Sequence, residues 1–218
     1  MTTDHGLWHL LAQLAAGACV TVQIAALAIA IGLIGGTIVG IANCQHLRRP
    51  VLGSIIDFFV WAVRGTPLFV QVLIMYYAVP DLVGLSCSPY TAGVMALGIN
   101  SVAYSSEIIR GGINGIPVGQ WEAAYALGLP LQKTVNGIIL PQVLHLVLPS
   151  LTNEVVTLVK DSSILMIIGV CELTKVSKDI VSRELNPISV YCVTAACYLI
   201  MASLVSSLAK WVAKRRTP

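Results

Sequence analysis

The sequence predicts an all-α membrane protein of about five transmembrane helices. Three observations carry that reading. The 218 residues are 56% hydrophobic and only 11% charged, with a mean hydropathy of +0.84, outside the range of ordinary soluble domains. Apolar runs long enough to cross a bilayer recur along the chain. The stretch between the third and fourth runs, 117 to 141, is too polar to span. The length suits one membrane domain over 1–218, with a loop at about 111–141 facing the cytosol.

The first span is expected within 10–43. Gly32, Gly36 and Gly40 stand four residues apart on one face, a stripe that lets helices approach closely in lipid. Thr21 lies in the same run, and its hydroxyl has two readings, a bond back to its own helix or a contact with substrate. His46, Arg48, Arg49 and Pro50 mark a loop. The second span, 51–79, is interrupted by Arg64, Gly65, Thr66 and Pro67, which should break or kink it. An arginine there must face protein, water or an opposite charge, and Asp57, two turns earlier, is the candidate partner.

A short loop, Asp81 to Pro89, leads to the third span at about 90–109, with Asn100, Ser101 and Tyr104 inside it. Glu107 and Arg110, three residues apart, suit a pair at its end. Between Pro117 and Pro130 a short helix fits, because the first proline is tolerated at a helix start and the second cannot continue one. Val118, Trp121, Tyr125 and Gly128 fall close to one face, expected to lie on the membrane. Glu122 would then stand outward as a polar knob.

The fourth span, 142–170, should kink near Pro149. It carries two acids: Glu154 lies about 18 Å along from Gln142 and Asp161 about 10 Å further, at 1.5 Å per residue. Two turns apart, both project to similar sides. Intramembrane carboxylates are functional candidates by default, with an internal salt-bridge network through Lys160 as the alternative. Residues 171–187 read as a mixed-charge loop, and 188–209 as the fifth span before a basic end. Arg48, Arg49, Arg110, Lys133, Lys210, Lys214, Arg215 and Arg216 then fall on the cytosolic side, against Lys175, Lys178 and Arg183 outside. This places the N-terminus outside and the C-terminus in the cytosol. Without a basic leader region, the first span is expected to be retained.

Other classes find little support. The six cysteines form no C-x-x-C pair, so no metal or disulfide framework is expected, and only Cys87 and Cys171 share the outer side. Charge is too small and dispersed for nucleic-acid binding. No G-x-x-x-x-G-K-[ST] loop is present to cradle nucleotide phosphates, so any ATP must be bound and hydrolysed by another chain.

Glu122, Ala123, Ala124, Gly128, Ile138, Leu140 and Pro141 reproduce at full spacing the EAA pattern of ABC-importer permeases, and on these residues the chain resembles that family. RGTPLFVQVLIMYY, AYSSEIIRGGINGIPVGQWEAA and NEVVTLVKDSSILMIIGVCELTKV resemble its polar amino-acid branch, so the likeness covers nearly the whole chain. The resemblance implies the type I ABC importer permease fold in a bacterial inner membrane. It also implies that Glu122, Ala123, Ala124 and Gly128 form the helix that docks on a cytoplasmic ATPase dimer. A second permease subunit, identical or paralogous, and an extracytoplasmic substrate-binding protein complete the expected assembly in the lipid bilayer. Glu154, Asp161, Ser101 and Thr21 are the candidate substrate contacts, for an amino acid expected to be polar and cationic. No cofactor or metal of its own is expected. The rivals are an ion-coupled secondary transporter, with Glu154 and Asp161 binding protons, and an intramembrane enzyme using Ser162, Ser163 and His145. The first lacks the internal repeat such folds use, and the second has no motif behind it.

Overall fold

The structure, a computed structural model, describes residues 3–84 and 86–216, with side chains from 10 to 211 apart from 85. Its helices, in order, are α1 (Thr3–Ala42), α2 (Pro50–Gly65), α3 (Leu68–Val83), α4 (Pro89–Asn114), α5 (Val118–Ala126), α6 (Leu131–Ile168), α7 (Leu173–Glu184) and α8 (Pro187–Arg216). No strand occurs among the described residues. The side chains of Lys214, Arg215 and Arg216 lie outside the description.

Three helices are long and apolar enough to cross a membrane on their own: Leu10–Ala42 within α1, all of α6, and Pro187–Trp211 within α8. The expected second span is broken more sharply than a kink, because α2 and α3 meet at 105°. Thr66 sits extended before Pro67 (φ −114°, ψ 145°), since the proline ring excludes the helical region from its predecessor. The expected third span is the continuous helix α4, too polar to qualify by composition. It can be polar because it is the centre of the bundle: α1 packs along it over most of its length, and α2, α3 and α6 cover other sides. Ser88 caps its first turn by accepting from the Thr91 N–H at 3.1 Å, with Pro89 at the first helical position.

The glycine stripe explains the closeness of α1 and α4. A Cβ on Gly36 would lie 2.5 Å from Ser105 Cβ, and one on Gly40 2.7 Å from the Ser106 carbonyl oxygen, while one on Gly32 would overlap Ser101 Oγ. The backbones therefore approach where a methyl group could not fit.

Two π-helical turns precede prolines. Residues Ile74–Ala78 lead to Pro80, and Val135–Ile139 to Pro141. In each case the carbonyl four residues before the proline lies inside the wider turn, which relieves the clash a regular α-turn would make.

Residues 171–187, read from sequence as a loop, contain the amphipathic helix α7. Leu173, Ser177 and Ile180 are buried at helical spacing, and the mixed charges that suggested a loop occupy its other side. Glu172, fully buried, caps it by accepting from the N–H groups of Thr174 at 2.8 Å and Lys175 at 2.7 Å, and from the Tyr198 hydroxyl at 2.9 Å. All six cysteines are free, Cys87 and Cys171 included.

Candidate functional site

Two regions carry the candidate residues: a polar layer halfway along α4 and the short helix α5 at its end. The polar layer begins at the break in the second span. With Pro67 ending the first half, the last carbonyls of α2 lose their helical donors. The Gln71 side-chain amide reaches back to the Val63 carbonyl at 2.7 Å, the Thr66 carbonyl at 3.1 Å and the Thr66 hydroxyl at 3.0 Å, and the Thr66 hydroxyl donates to the Ala62 carbonyl at 2.9 Å. Gln71 Oε1 in turn accepts from Asn100 Nδ2 at 3.0 Å, tying the break to α4. Sequence reasoning missed Gln71. Its position four residues after Pro67, on the first turn of the resumed helix, was the available signal.

The next residue, Ser101, is 1% exposed and fits against α1 where Gly32 leaves room. The Glu154 carboxylate, half-buried on α6, stands close to the Ser101 side chain. Thus Ser101 and Glu154, both candidates from sequence, come together. Asp161 stands two turns beyond on α6, also half-buried and directly after Lys160.

Thr21 is not brought to that contact. Eleven residues, about 16 Å of helix, separate it from Gly32. It is fully buried, and its hydroxyl accepts the Leu173 N–H at 3.2 Å, beside the cap made by Glu172. This bond is neither of the two readings its hydroxyl had from sequence: it runs between helices and helps lock α1 to the start of α7.

Arg64 also has a different partner from the one expected. Its guanidinium lies 3.7 Å from Glu107 Oε2 and 5.1 Å from the Tyr104 ring centroid. Asp57 cannot serve, because it accepts from Asn43 Nδ2 at 2.8 Å and pairs with Arg48. Glu107 holds Arg110 as expected, through two hydrogen bonds of 2.8 and 2.7 Å. The second and third spans are thereby joined by a cluster of two arginines sharing one carboxylate.

At the end of α4 the chain turns through Pro117 into α5. Of the stripe expected to lie on the membrane, Trp121 packs into the bundle instead. Trp121 and Ala124, three residues apart, pack inward at 9% and 1% exposure, whereas Tyr125 is 88% exposed and Val118 57%. Trp121 wins the inner position because it is the largest apolar surface on the helix and a receptive cluster of Cys44, Ile116, Val135 and Ile139 lies beneath it. Glu122 and Ala123 are exposed, as the docking reading requires, while Ala124 serves packing within the chain.

Gly128 terminates α5 in the left-handed conformation, φ +67°. Its N–H bonds the Tyr125 carbonyl at 3.0 Å and the Leu129 N–H bonds the Ala124 carbonyl at 3.1 Å, a Schellman ending. A Cβ there would meet nothing within 4 Å, so the backbone turn and not a close contact requires glycine. Around Glu122 the outer surface is concave: a groove of about 550 Å³ lined by His46, Val118, Trp121, Tyr125, Leu129 and Leu131.

Ser162, proposed with Ser163 and His145 in the enzyme reading, is buried and donates to the Val159 carbonyl at 2.8 Å. No group of three or more metal-ligating side chains occurs among the described residues.

Comparisons with known proteins agree with this architecture. The chain is 36% identical over 199 residues to a putative glutamine transport system permease protein, GlnP, of Rickettsia bellii (strain RML369-C), covering 91% of this chain and 90% of that one. It is 34% identical, with the same coverage, to the arginine transport system permease protein ArtQ of Bacillus subtilis (strain 168). A solved chain described as "Crystal structure of an amino acid ABC transporter with histidines" superposes with a TM-score of 0.86 at 32% identity, over 99% of this chain and 100% of that one. Residues 28–218 match the family of binding-protein-dependent transport system inner membrane components, and the chain belongs to that family.

Proposed function

We propose that the chain is the membrane-spanning subunit of an ATP-driven importer for polar, cationic amino acids. In this reading it lies in a bacterial inner membrane with its N-terminus outside and C-terminus in the cytosol. It works with a second permease subunit, the same or paralogous, and an extracytoplasmic binding protein that delivers substrate. ATP is bound and hydrolysed by a cytoplasmic ATPase dimer, and α5 is where each permease meets it. Alternating access follows when closure of the ATPases displaces α5 and the attached spans.

One observation supports the coupling role above others. Helix α5 is anchored by Trp121 and Ala124 on one face and presents Glu122 on the other, within a concave apolar surface, outside the bundle. A helix that merely linked two spans would not need an acid held in that position. The substrate class rests on Glu154 beside Ser101 and on Asp161 two turns along. The likeness to glutamine and arginine permeases supports amino acids in general, and the two carboxylates favour a cation.

Glu122→Arg tests the coupling role. The side chain is exposed, so the variant should accumulate and fold as wild type. Opposite a basic or hydrogen-bonding groove on the ATPase, the reversed charge should reduce docking or substrate-stimulated hydrolysis by about tenfold or more, since like-charge juxtaposition at an interface costs several kcal/mol. Normal ATP-coupled uptake by Glu122→Arg, measured in reconstituted vesicles, would remove Glu122 from the mechanism.

A further inference from the structure

The loop between α1 and α2 is held to two parts of the molecule with different tasks, by its ends to one and by its middle to the other. On one side it grips the broken span: Asn43 Nδ2 donates to Asp57 Oδ1 of α2 at 2.8 Å, and the Arg48 guanidinium pairs with the other carboxylate oxygen. Cys44 between them is fully buried. On the other side it touches the coupling region. The Gln45 N–H donates to Asn114 Oδ1 at 3.1 Å, at the last residue of α4, and the His46 ring lies flat on Trp121 of α5, with centroids 4.2 Å apart and planes 4° from parallel.

The Trp121 indole is held by packing alone. Its buried Nε1–H has no hydrogen-bond partner among the described residues, and only 9% of the residue is exposed. His46 closes the indole's outer face. A flexible loop would absorb a small movement of α5, but this loop has little slack: of its seven residues, Asn43, Gln45, His46 and Arg48 carry a ring stack, a backbone hydrogen bond and a two-point carboxylate clamp. Packed elements of this kind shift together or not at all.

We propose that His46 is a positioning residue of the transport cycle, passing displacement of α5 into α2 through the Asn43–Asp57–Arg48 clamp. The proposal rests on the coupling role assigned to α5. It gives the α1–α2 loop a task that the EAA pattern does not include. The competing role for an exposed ring in the groove beside Glu122 is direct contact with the ATPase, and the two roles have different readouts. A contact residue changes how tightly the ATPase binds. A relay residue changes how much substrate moves for each ATP hydrolysed.

The experiment uses the assembled complex in proteoliposomes, with ATPase binding, ATP hydrolysis and uptake measured on the same preparation. His46→Ala should bind the ATPase as wild type does, with substrate moved per ATP reduced by about fivefold or more, the lower end of typical coupling between sites. His46→Phe keeps a flat ring for the indole and should restore the ratio to within about twofold of wild type by the same scale. Asp57→Ala should reproduce the defect from the α2 side of the clamp. The His46→Ala/Asp57→Ala double variant should be no worse than the more severe single one, because both break one path. Should His46→Ala not accumulate, His46→Leu keeps bulk without a stacking face and takes its place.

An unchanged ratio in these His46 variants overturns the proposal. So does weakened ATPase binding with a normal ratio in the complexes that form, which makes His46 a contact residue, and so does additivity in the double variant. Glu122→Arg in the same preparation keeps the failures apart: normal transport by Glu122→Arg defeats the coupling role of α5, whereas a defective Glu122→Arg beside a normal His46→Ala defeats only the relay.

Discussion

Gly36→Leu is expected to leave almost no folded, assembled chain in the membrane. A Cβ at this position would sit 2.5 Å from Ser105 Cβ and 3.0 Å from the Ser106 backbone nitrogen, and a leucine extends three carbons further into the same space. Backbone atoms of α4 cannot rotate away as a side chain tip can, so the two helices must separate. Separation loosens the neighbouring contacts along the same seam, at Gly32 against Ser101 and at Gly40 against Ile109. Overpacking a closed interior typically costs about 1–3 kcal/mol and occasionally more. Here the displaced element is the longest contact in the bundle, so the upper end applies. Gly111→Ala is the matched control, because a Cβ there meets nothing within 4 Å. Size-exclusion profiles of detergent-extracted protein compare the two. A monodisperse Gly36→Leu that still transports would mean that α1 and α4 do not meet as described.

Glu154→Gln should be the most damaging conservative change for transport. The amide has nearly the shape of the carboxylate, so folding should survive. The variant loses the negative charge in the polar layer formed by Gln71, Asn100, Ser101 and Glu154. If that charge balances a cationic side chain, removing one partner of a desolvated pair costs about 2–5 kcal/mol, or roughly thirtyfold and upward in the substrate concentration needed. Asp161→Asn should have a smaller effect, since it lies about 10 Å further along α6 and away from Ser101. The readout is substrate-stimulated ATP hydrolysis by arginine, lysine, histidine and glutamine in wild type and both variants. Cationic stimulation that survives both substitutions, or a wild type stimulated by glutamine alone, would reject the cationic substrate.

Much of the fold was legible because lipid makes composition informative. The first, fourth and fifth spans are long apolar runs and appear as α1, α6 and α8. The glycine stripe was legible as a packing device, because no other residue leaves that space. The third span was legible as a helix, but its polar residues gave no hint that it is the central one.

The misreadings share a cause: each depended on which of several faces a short segment buries. On α5 the sequence offered Val118, Trp121 and Tyr125 as one stripe, and only the cluster around Cys44 and Val135 decided that Trp121 goes in and Tyr125 out. Helix α7 was hidden by its charges, although Leu173, Ser177 and Ile180 already stood at helical spacing. Arg64 was matched with Asp57 because both belong to one run, whereas α4, distant in sequence, supplies Glu107. The same limit explains the candidate site. Glu154 and Ser101 stood out as polar groups in apolar surroundings, and the fold places them close together. Thr21 stood out for the same reason, yet it bonds the start of α7. Polarity in a span marks a residue that must have a partner without saying which one.

Uptake of a labelled cationic amino acid into sealed proteoliposomes, holding the permease with its ATPase and supplied with the binding protein, separates ATP-driven import from ion-coupled transport. Uptake should require ATP, persist when ionophores collapse every ion gradient, and stop when the ATPase is omitted. Uptake that proceeds without ATP or ATPase and vanishes with the ion gradient would contradict the assignment of the chain as the permease of an ATP-driven importer.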